Sequence, residues 1–505
     1  SMFRHDLRHT GYTTSKAPNI NTVLWSYTTG DYVYSSPAVA DGRVYVGSWD
    51  KKVYALNAST GAFIWSYTAG NYIGYSSPAV AYGRVYIGSH DYKVYALNAS
   101  TGAFIWSYAT GSYVDSSPAV ADGKVYIGSR DYKVYALNAS TGAFIWSYTT
   151  GLDVWSSPAV ADGRVYVGSR DKKVYALNAS TGAFLWSYTT GDIIGHSSPA
   201  VVNGRVYIGS WNGKVYALNA STGAFLWSYT TGGLVESSPA VASGKVYIGS
   251  DDNKVYCLNA STGAFIWSYL TGGYVDSSPA VADGRVYLGS RDYKVYALNA
   301  STGALIWSYT TGSYVISSPA VANKVYIGSY DRKVYAFGFH DVAITSVVPS
   351  PTEAYIDEIV NITVVAKNEG TETETFSVTA FYNDTAIQTQ TVTKLIAYAE
   401  TTLTFNWDTT GMIPSNYTIK AVASTVPGET HTADNTYVDG VVKLVKLIKP
   451  PVAHFTYSPT APLTGETVTF NASLSTPDGG VIVGYEWNFG DGTPNATGMI
   501  TTHSY

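Results

Sequence analysis

The chain has 505 residues, a net charge of −5, 13% charged and 14% aromatic residues, 48 glycines and one cysteine. That length exceeds one ordinary core and asks for two to four domains; little charge with many aromatics and glycines favours an all-β architecture rich in tight turns. No Lys/Arg run exists, which excludes nucleic acid as a partner, and no stretch is long and apolar enough to read as a transmembrane helix.

No signal peptide is visible. Ser1-Met2 reads as a cloning remnant, so a natural leader is expected to have been removed. The lone cysteine, Cys257, stands in Val-Tyr-Cys-Leu-Asn where sister segments have Ala, and is expected to be a small buried side chain. It cannot form a disulfide within the chain, so thiol chemistry says nothing about compartment.

In chain order, Leu24-Trp25-Ser26-Tyr27 comes first, and then a repeat begins. Its proline recurs at Pro37, Pro78, Pro118, Pro158, Pro199, Pro239, Pro279 and Pro319, at spacings of 40 or 41 residues, enough for four short strands and their turns. Within a unit, Ser-Pro-Ala-Val-Ala is strand A, Arg-Val-Tyr-Val-Gly strand B, Lys-Val-Tyr-Ala-Leu strand C and Phe-Ile-Trp-Ser-Tyr strand D. Asp-Gly between A and B is a hairpin signal, and Asn-Ala-Ser-Thr-Gly makes the C–D turn. The nearly continuous apolar character suits sheets buried on both faces.

Strands A, B and C occur eight times, but D follows in register only seven times, with Trp65, Trp106, Trp146, Trp186, Trp227, Trp267 and Trp307. The missing eighth D strand is the N-terminal segment containing Trp25. That offset predicts an eight-bladed β-propeller over residues 1–339, closed by its own N-terminal strand so that no edge is left free.

The Ala-Leu-Asn-Ala-Ser-Thr-Gly-Ala-Phe-Ile-Trp segment resembles the tryptophan-docking repeat of the quinoprotein-type, or PQQ-like, propellers, and Phe3-Arg4-His5-Asp6 with Thr10-Gly11 resembles their N-terminal lead-in. The resemblance covers residues 3–338 and implies that each tryptophan, with a Thr-Gly turn such as Thr60-Gly61, locks neighbouring blades together. The dehydrogenases of that family hold their cofactor on the axis against a vicinal disulfide, with a calcium ion beside it. One cysteine rules that arrangement out, so neither a cofactor nor a metal is expected and the propeller reads as a non-catalytic module.

The periodicity stops near His340. Residues 340–447 resemble a CARDB-type Ig-like sandwich through Asp341-Val342-Ala343-Ile344, Val360–Val364, Lys367-Asn368-Glu369-Gly370 and Asp434-Asn435-Thr436, and alternating strands such as Asn361–Val365 and Tyr417–Val422 fit a sandwich independently. Residues 448–451, with Lys449-Pro450-Pro451, read as a stiff linker. Residues 452–505 resemble the start of a PKD domain through Tyr485–Gly492 and His503-Ser504-Tyr505; that pattern continues for two more strands, so a longer natural protein is expected. Sequons occur at Asn361, Asn383, Asn416, Asn471 and Asn495, candidate glycosylation sites, and also in the blades at positions such as Asn57, where Asn is first of all a turn residue.

No zinc spacing, phosphate loop, EF-hand or nucleophile elbow appears. Comparison of the repeats with one another is more informative. Two positions vary sharply among otherwise near-identical units. The residue before Ser-Ser-Pro is Tyr34, Tyr75, Asp115, Trp155, His196, Glu236, Asp276 or Ile316. The residue after Gly-Ser is Trp49, His90, Arg130, Arg170, Trp211, Asp251, Arg291 or Tyr330. Because strands alternate in direction, the D–A and B–C connections share one face, so both positions are expected around one mouth of the channel. Aromatics, arginines and carboxylates there suit sugar stacking or peptide capture; drift at solvent-exposed loop tips gives the same pattern.

The domain combination resembles modular extracellular or cell-surface proteins of prokaryotes, including archaeal S-layer-associated ones, with the Ig-like units as spacers or adhesion modules. A glycan or protein partner at the cell surface is the expectation. The non-catalytic targeting part of a longer secreted hydrolase is a second reading, and a scaffold of the outer-membrane lipoprotein type a third.

Overall fold

The computed structural model describes residues 6–505, all of whose regular elements are β-strands. The expected lead-in residues Phe3, Arg4 and His5 lie outside the described residues. By internal contacts the chain divides into Ser1–His340 with Gly370–Glu372, and Asp341–Glu369 with Thr373–Tyr505.

The first unit contains eight four-stranded antiparallel sheets, one extended to five strands. The first has strand A at Ala38–Ala40, B at Arg43–Gly47, C at Lys52–Asn57 and D at Phe63–Thr68. The last takes A, B and C from Ala320–Ala322, Lys324–Gly328 and Lys333–Phe337, and D from the N-terminal Val23–Thr28, with Trp25 opposite Ala336. Strand A is shorter than its sequence signature, because the Ser-Ser-Pro portion makes contacts between sheets instead of ladder bonds.

Those serines close the ring. The Ser36 amide donates to Ser77 Oγ, Ser77 to Ser117, Ser117 to Ser157, Ser157 to Ser198, Ser198 to Ser238, Ser238 to Ser278, Ser278 to Ser318, and the Ser318 amide returns to Ser36 Oγ, every distance being 2.9 or 3.0 Å. The other serine of each pair ties strand A to B within a sheet: Ser35 Oγ accepts from Gly47 N, Ser116 from Gly128 N and Ser237 from Gly249 N.

Further from the axis, each indole spans two sheets. Trp65 Nε1 donates to the Ala99 carbonyl in the next C–D turn, and Tyr45 Oη donates to the same oxygen. The tryptophan lies flat on a glycine in positive φ: a Cβ at Gly102 would come within 2.6 Å of Trp65 Cε3. Trp25, Trp106, Trp146, Trp186, Trp227 and Trp267 dock the same way on Ala58, Ala139, Ala179, Ala220, Ala260 and Ala300. Trp307 has no such turn to meet, because the chain leaves the repeat at Phe337. Pro18 supplies the carbonyl instead, accepting from Trp307 Nε1 and Tyr287 Oη. N-terminal to it, Leu7, Arg8, Thr10 and Gly11 offer their carbonyls to Val160, Val201, Val241 and Val281 on four successive A strands, and Tyr12–Thr13 adds a parallel fifth strand to one sheet.

The second unit contains a sandwich of a three-stranded sheet (Val342–Ser350, Ile359–Asn368, Glu400–Asp408) and a five-stranded sheet (Glu353–Tyr355, Glu374–Tyr382, Thr385–Leu395, Ser415–Ala423, Thr436–Val445). Strict alternation at Val360, Ile362, Val364 and Ala366 buries one face against Phe405, Trp407 and Ile419. The segment expected as a linker is instead a strand: Lys449–Val452 pairs with Thr476–Asp478. Its two prolines lack donors, which an edge strand with a register break tolerates. Beyond it, Thr456–Ser458, Thr467–Asn471 and Ile500–Ser504 form a small sheet carrying the exposed aromatics Phe455 and Tyr457.

Removing one indole opens a cavity and takes one of two donors from a buried carbonyl, so Trp106→Ala is expected to destabilise the propeller by ~3–5 kcal/mol; Ser157→Ala, which orphans the buried amide of Ser117, by ~1–3 kcal/mol. Guanidinium unfolding followed by tryptophan fluorescence tests both.

Candidate functional site

The two serines anchor the residue that precedes them. Residue −1 of every Ser-Ser pair therefore enters the channel from a backbone held on both sides, and all eight line one cavity of about 290 Å³: Tyr34, Tyr75, Asp115, Trp155, His196, Glu236, Asp276 and Ile316. Most of the hydroxyl ring lies at its base, including Ser36, Ser77, Ser117 and Ser157. The A–B turns lie at the other end, where the N-terminal segment pairs through Arg8 with Asp162 and through Lys16 with Asp283.

The second variable position divides. Trp211 and Arg291 line the cavity; Trp49, His90, Arg130, Arg170 and Tyr330 stand behind the lining and pack against it. Asp251 belongs to the group as well, through the charges of Asp276 and Glu236. Of the sixteen positions Asp115 is buried, Arg291 is exposed and the other fourteen are half-buried, which is not the profile of free loop tips.

The rings interlock across the axis. Tyr75 stacks on His196, three sheets away, with centroids 4.1 Å apart, and His196 stacks on Trp155 at 4.9 Å. Arg170 lies 4.1 Å and Arg130 4.6 Å from the Trp155 ring centroid, a cation on each. Tyr34 stacks on Trp49 and meets Tyr330.

Charge is distributed unevenly. On one arc Asp115, fully enclosed, takes Arg130 Nε at 2.5 Å and His90 Nε2 at 2.7 Å. Burial pushes its carboxyl up, but the His90 hydrogen bond and the charges of His90, Arg130 and His196 outweigh that and hold it below the usual range. On the other arc Glu236, Asp251 and Asp276 gather around a single guanidinium, Arg291, whose Nε is 2.6 Å from Asp276 Oδ2. Burial first, then the charge and hydrogen bond of Asp276 and the charge of Glu236, push Asp251 up to about 7, with Arg291 opposing. Glu236 also accepts from the His196 amide at 2.9 Å.

Four enclosed donors at this site have no protein partner, Trp49 Nε1, Trp155 Nε1, Arg170 Nε and Trp211 Nε1, while the carboxyls of Asp251 and Asp276 have each other. The arrangement offers unpaired donors, carboxylate acceptors and several ring faces.

Cys257, the one thiol, lies inside a sheet opposite Tyr247 and Trp267, with burial raising it to about 12. It is not among the residues lining the mouth. The residues here thus do not fit a quinone held against paired cysteines.

Of the five downstream sequons, Asn361, Asn383, Asn416 and Asn495 are exposed and Asn471 is half-buried. In the blades Asn57 Oδ1 accepts from Ser59 N and Thr60 N, the turn role expected of it.

Comparison with known proteins places this architecture among the PQQ-type β-propellers. The family model described as outer membrane protein assembly factor BamB matches residues 17–114 and 231–351, and that of the propeller of beta-alanine-activating enzyme matches 76–281. CARDB matches 340–438 and the PKD domain 448–505, so the chain carries, in order, a PQQ-type propeller, a CARDB domain and a PKD domain. BamB from Moraxella catarrhalis is similar in structure, with TM-score 0.55 and 22% identity over 63% of this chain and 99% of that one. The computationally designed Ika8 protein gives TM-score 0.57 and 18% identity over 64% and 99%. A europium-containing methanol dehydrogenase gives 0.56 and 16% over 73% and 90%. At these identities the likeness is one of fold. No relative is found among curated proteins.

A carboxyl raised in the folded state binds its proton more tightly there than in the unfolded chain, so stability is lost as pH rises between the two values. For Asp251 that window runs from 3.8 to about 7. Asp251→Asn is therefore expected to raise the propeller's unfolding midpoint at pH 8 and leave it nearly unchanged at pH 3.5. Asp115 has the opposite sign: its contribution, present above 3.8, fades as pH falls through its lower folded value. Asp115→Ala at pH 7 leaves the half-buried Arg130 guanidinium without its carboxylate and is expected to cost ~1–3 kcal/mol. Thermal unfolding across pH measures both.

Proposed function

We propose that the protein is a non-catalytic extracellular or cell-surface binding protein whose propeller mouth captures the end of a saccharide. The observation that carries this is a pair of enclosed, unpaired donors beside stacked rings, the indole N–H groups of Trp155 and Trp211, with the carboxylates of Glu236 and Asp276 lining the same cavity as acceptors. A polyhydroxylated ring supplies complementary groups on its edges and apolar C–H surface for the aromatic faces. At about 290 Å³, the cavity is near the lower limit of small-molecule sites (~300 Å³) and is a concave well, not an extended surface. That favours a chain end over a folded protein partner. The enclosed thiol, away from the mouth, supports a binding role over quinone chemistry.

The company of CARDB and PKD domains supports a place outside the cell, with these units as spacers or adhesion modules. Among the described residues no helix is long and apolar enough to cross a membrane. The exposed sequons fit the same setting as attachment points for glycans.

A glycan array probed with the full chain tests the reading. Binding to a defined set of terminal saccharides is expected, with a loss of at least ~10-fold in the double variant Trp155→Ala, Trp211→Ala, since each ring removes about a kcal/mol or more of stacking. Binding that survives the double variant places the ligand elsewhere; selective binding to peptides instead of glycans overturns the saccharide assignment.

A further inference from the structure

The CARDB domain holds a side-chain cluster unrelated to the propeller mouth. Asp341, at the head of its first strand, meets His431 and Asp434, which precede the last long strand, and one ligand atom from each lies within 4.8 Å of the others. His431 Nδ1 is 3.1 Å from Asp434 Oδ2 and 3.8 Å from Asp341 Oδ2. Two atoms bound to one zinc ion at ~2.1 Å lie no more than ~4.2 Å apart, so these separations already suit a shared cation.

The hydrogen bonding is incomplete in the same direction. Asp341 Oδ1 and Asp434 Oδ1 are both enclosed without a donor, and the Asp341 side chain is only 8% exposed. Oδ1 of Asn435, a residue 3% exposed, is equally without a partner, although its Nδ2 is engaged by Glu429. These are three buried acceptors, one of them a neutral amide, and His431 Nδ1 can answer one oxygen. Glu429 and Glu369 add further negative charge around Asp341. The frame is fixed without help from the cluster: Glu429 accepts from Val342 N and Val426 N, and Ile344 N donates to the Asp434 carbonyl. Oxygens held without donors, among like charges, on a rigid frame need a cation to complete them.

We infer that Asp341, His431 and Asp434 form a divalent-metal site. An imidazole nitrogen with two carboxylates selects zinc or manganese over calcium and magnesium, which prefer all-oxygen shells. The ion would pin the first strand of the sandwich to the loop before its last strand, a structural role.

The test uses the full chain, stripped with EDTA and dialysed separately against Zn²⁺, Mn²⁺ and Ca²⁺, with bound metal counted and thermal unfolding recorded. One equivalent of Zn²⁺ or Mn²⁺ is expected, with a rise in the melting temperature of the second unit. His431 is 64% exposed, so His431→Ala keeps the fold; it is expected to weaken binding at least ~10-fold and abolish the thermal shift. Asp434→Asn is expected to do the same. His503→Ala, at the half-buried histidine–aspartate contact with Asp491, serves as the control and changes neither the metal stoichiometry nor the metal-induced thermal shift. Absence of bound Zn²⁺ and Mn²⁺, a stoichiometry unaltered by His431→Ala, or binding of Ca²⁺ alone overturns the assignment.

Discussion

Eight amide-to-hydroxyl hydrogen bonds run from serine to serine around the axis and return to their start. The rest of the propeller depends on this closed cycle. One hydrogen bond contributes only about 1 kcal/mol net, but a cycle cannot lose a member without leaving a buried amide unpaired. The cycle sets the radius at which every inner strand begins, and with its partner serine it fixes the backbone immediately upstream. The mouth residues are therefore held by the scaffold's own closure, on short connections and not on free loops, so little conformational entropy remains to be lost when a ligand is bound.

The indole contacts do at the periphery what the serines do at the centre. Each requires three features at once: a carbonyl at fixed height and a glycine with no Cβ beneath the ring, both from the neighbouring sheet, and a tyrosine of its own sheet that shares the carbonyl. A change to any one is felt across a blade boundary, so the repeat stays uniform at these positions. The one exception is instructive. Where the chain leaves the repeat and no C–D turn is available, Pro18 provides the carbonyl, and both Trp307 and Tyr287 still find it. The contact is kept although the segment supplying it is different.

The propeller was legible because it is written repeatedly: the proline spacing, the displaced D strand and the tryptophan series all lead to the ring that closes at Val23–Thr28. The shared face of the variable positions was legible for the same reason. Contacts made once were not. Nothing in the repeat shows that Tyr75 reaches His196, since the distance across a channel depends on its width. The division of the second variable set into lining and backing residues also depends on radius. That Asp251 comes up against Asp276 and Glu236 likewise depends on how the blades converge. Lys449-Pro450-Pro451 read as a linker because prolines suppress strand signals, yet an edge strand accepts them. The cluster at Asp341 joins residues some ninety positions apart, beyond the reach of any local motif.

Divergence at the mouth has a cause that precedes any ligand. Side chains from eight blades converge on one axis, and eight copies of a tryptophan would overfill the space just as eight aspartates would repel. A ring with identical inner frames must therefore break its symmetry at the centre. Interlocked Tyr75, His196 and Trp155, and the acid arc answered by Arg291, are what such filling looks like. Filling alone, however, predicts that the polar atoms thus enclosed find partners among themselves, as Asp115 does with Arg130 and His90. Trp49 Nε1, Trp155 Nε1, Arg170 Nε and Trp211 Nε1 do not. Packing accounts for why these residues differ from blade to blade; it leaves those four atoms unexplained, and they are the part of the mouth that asks for a ligand.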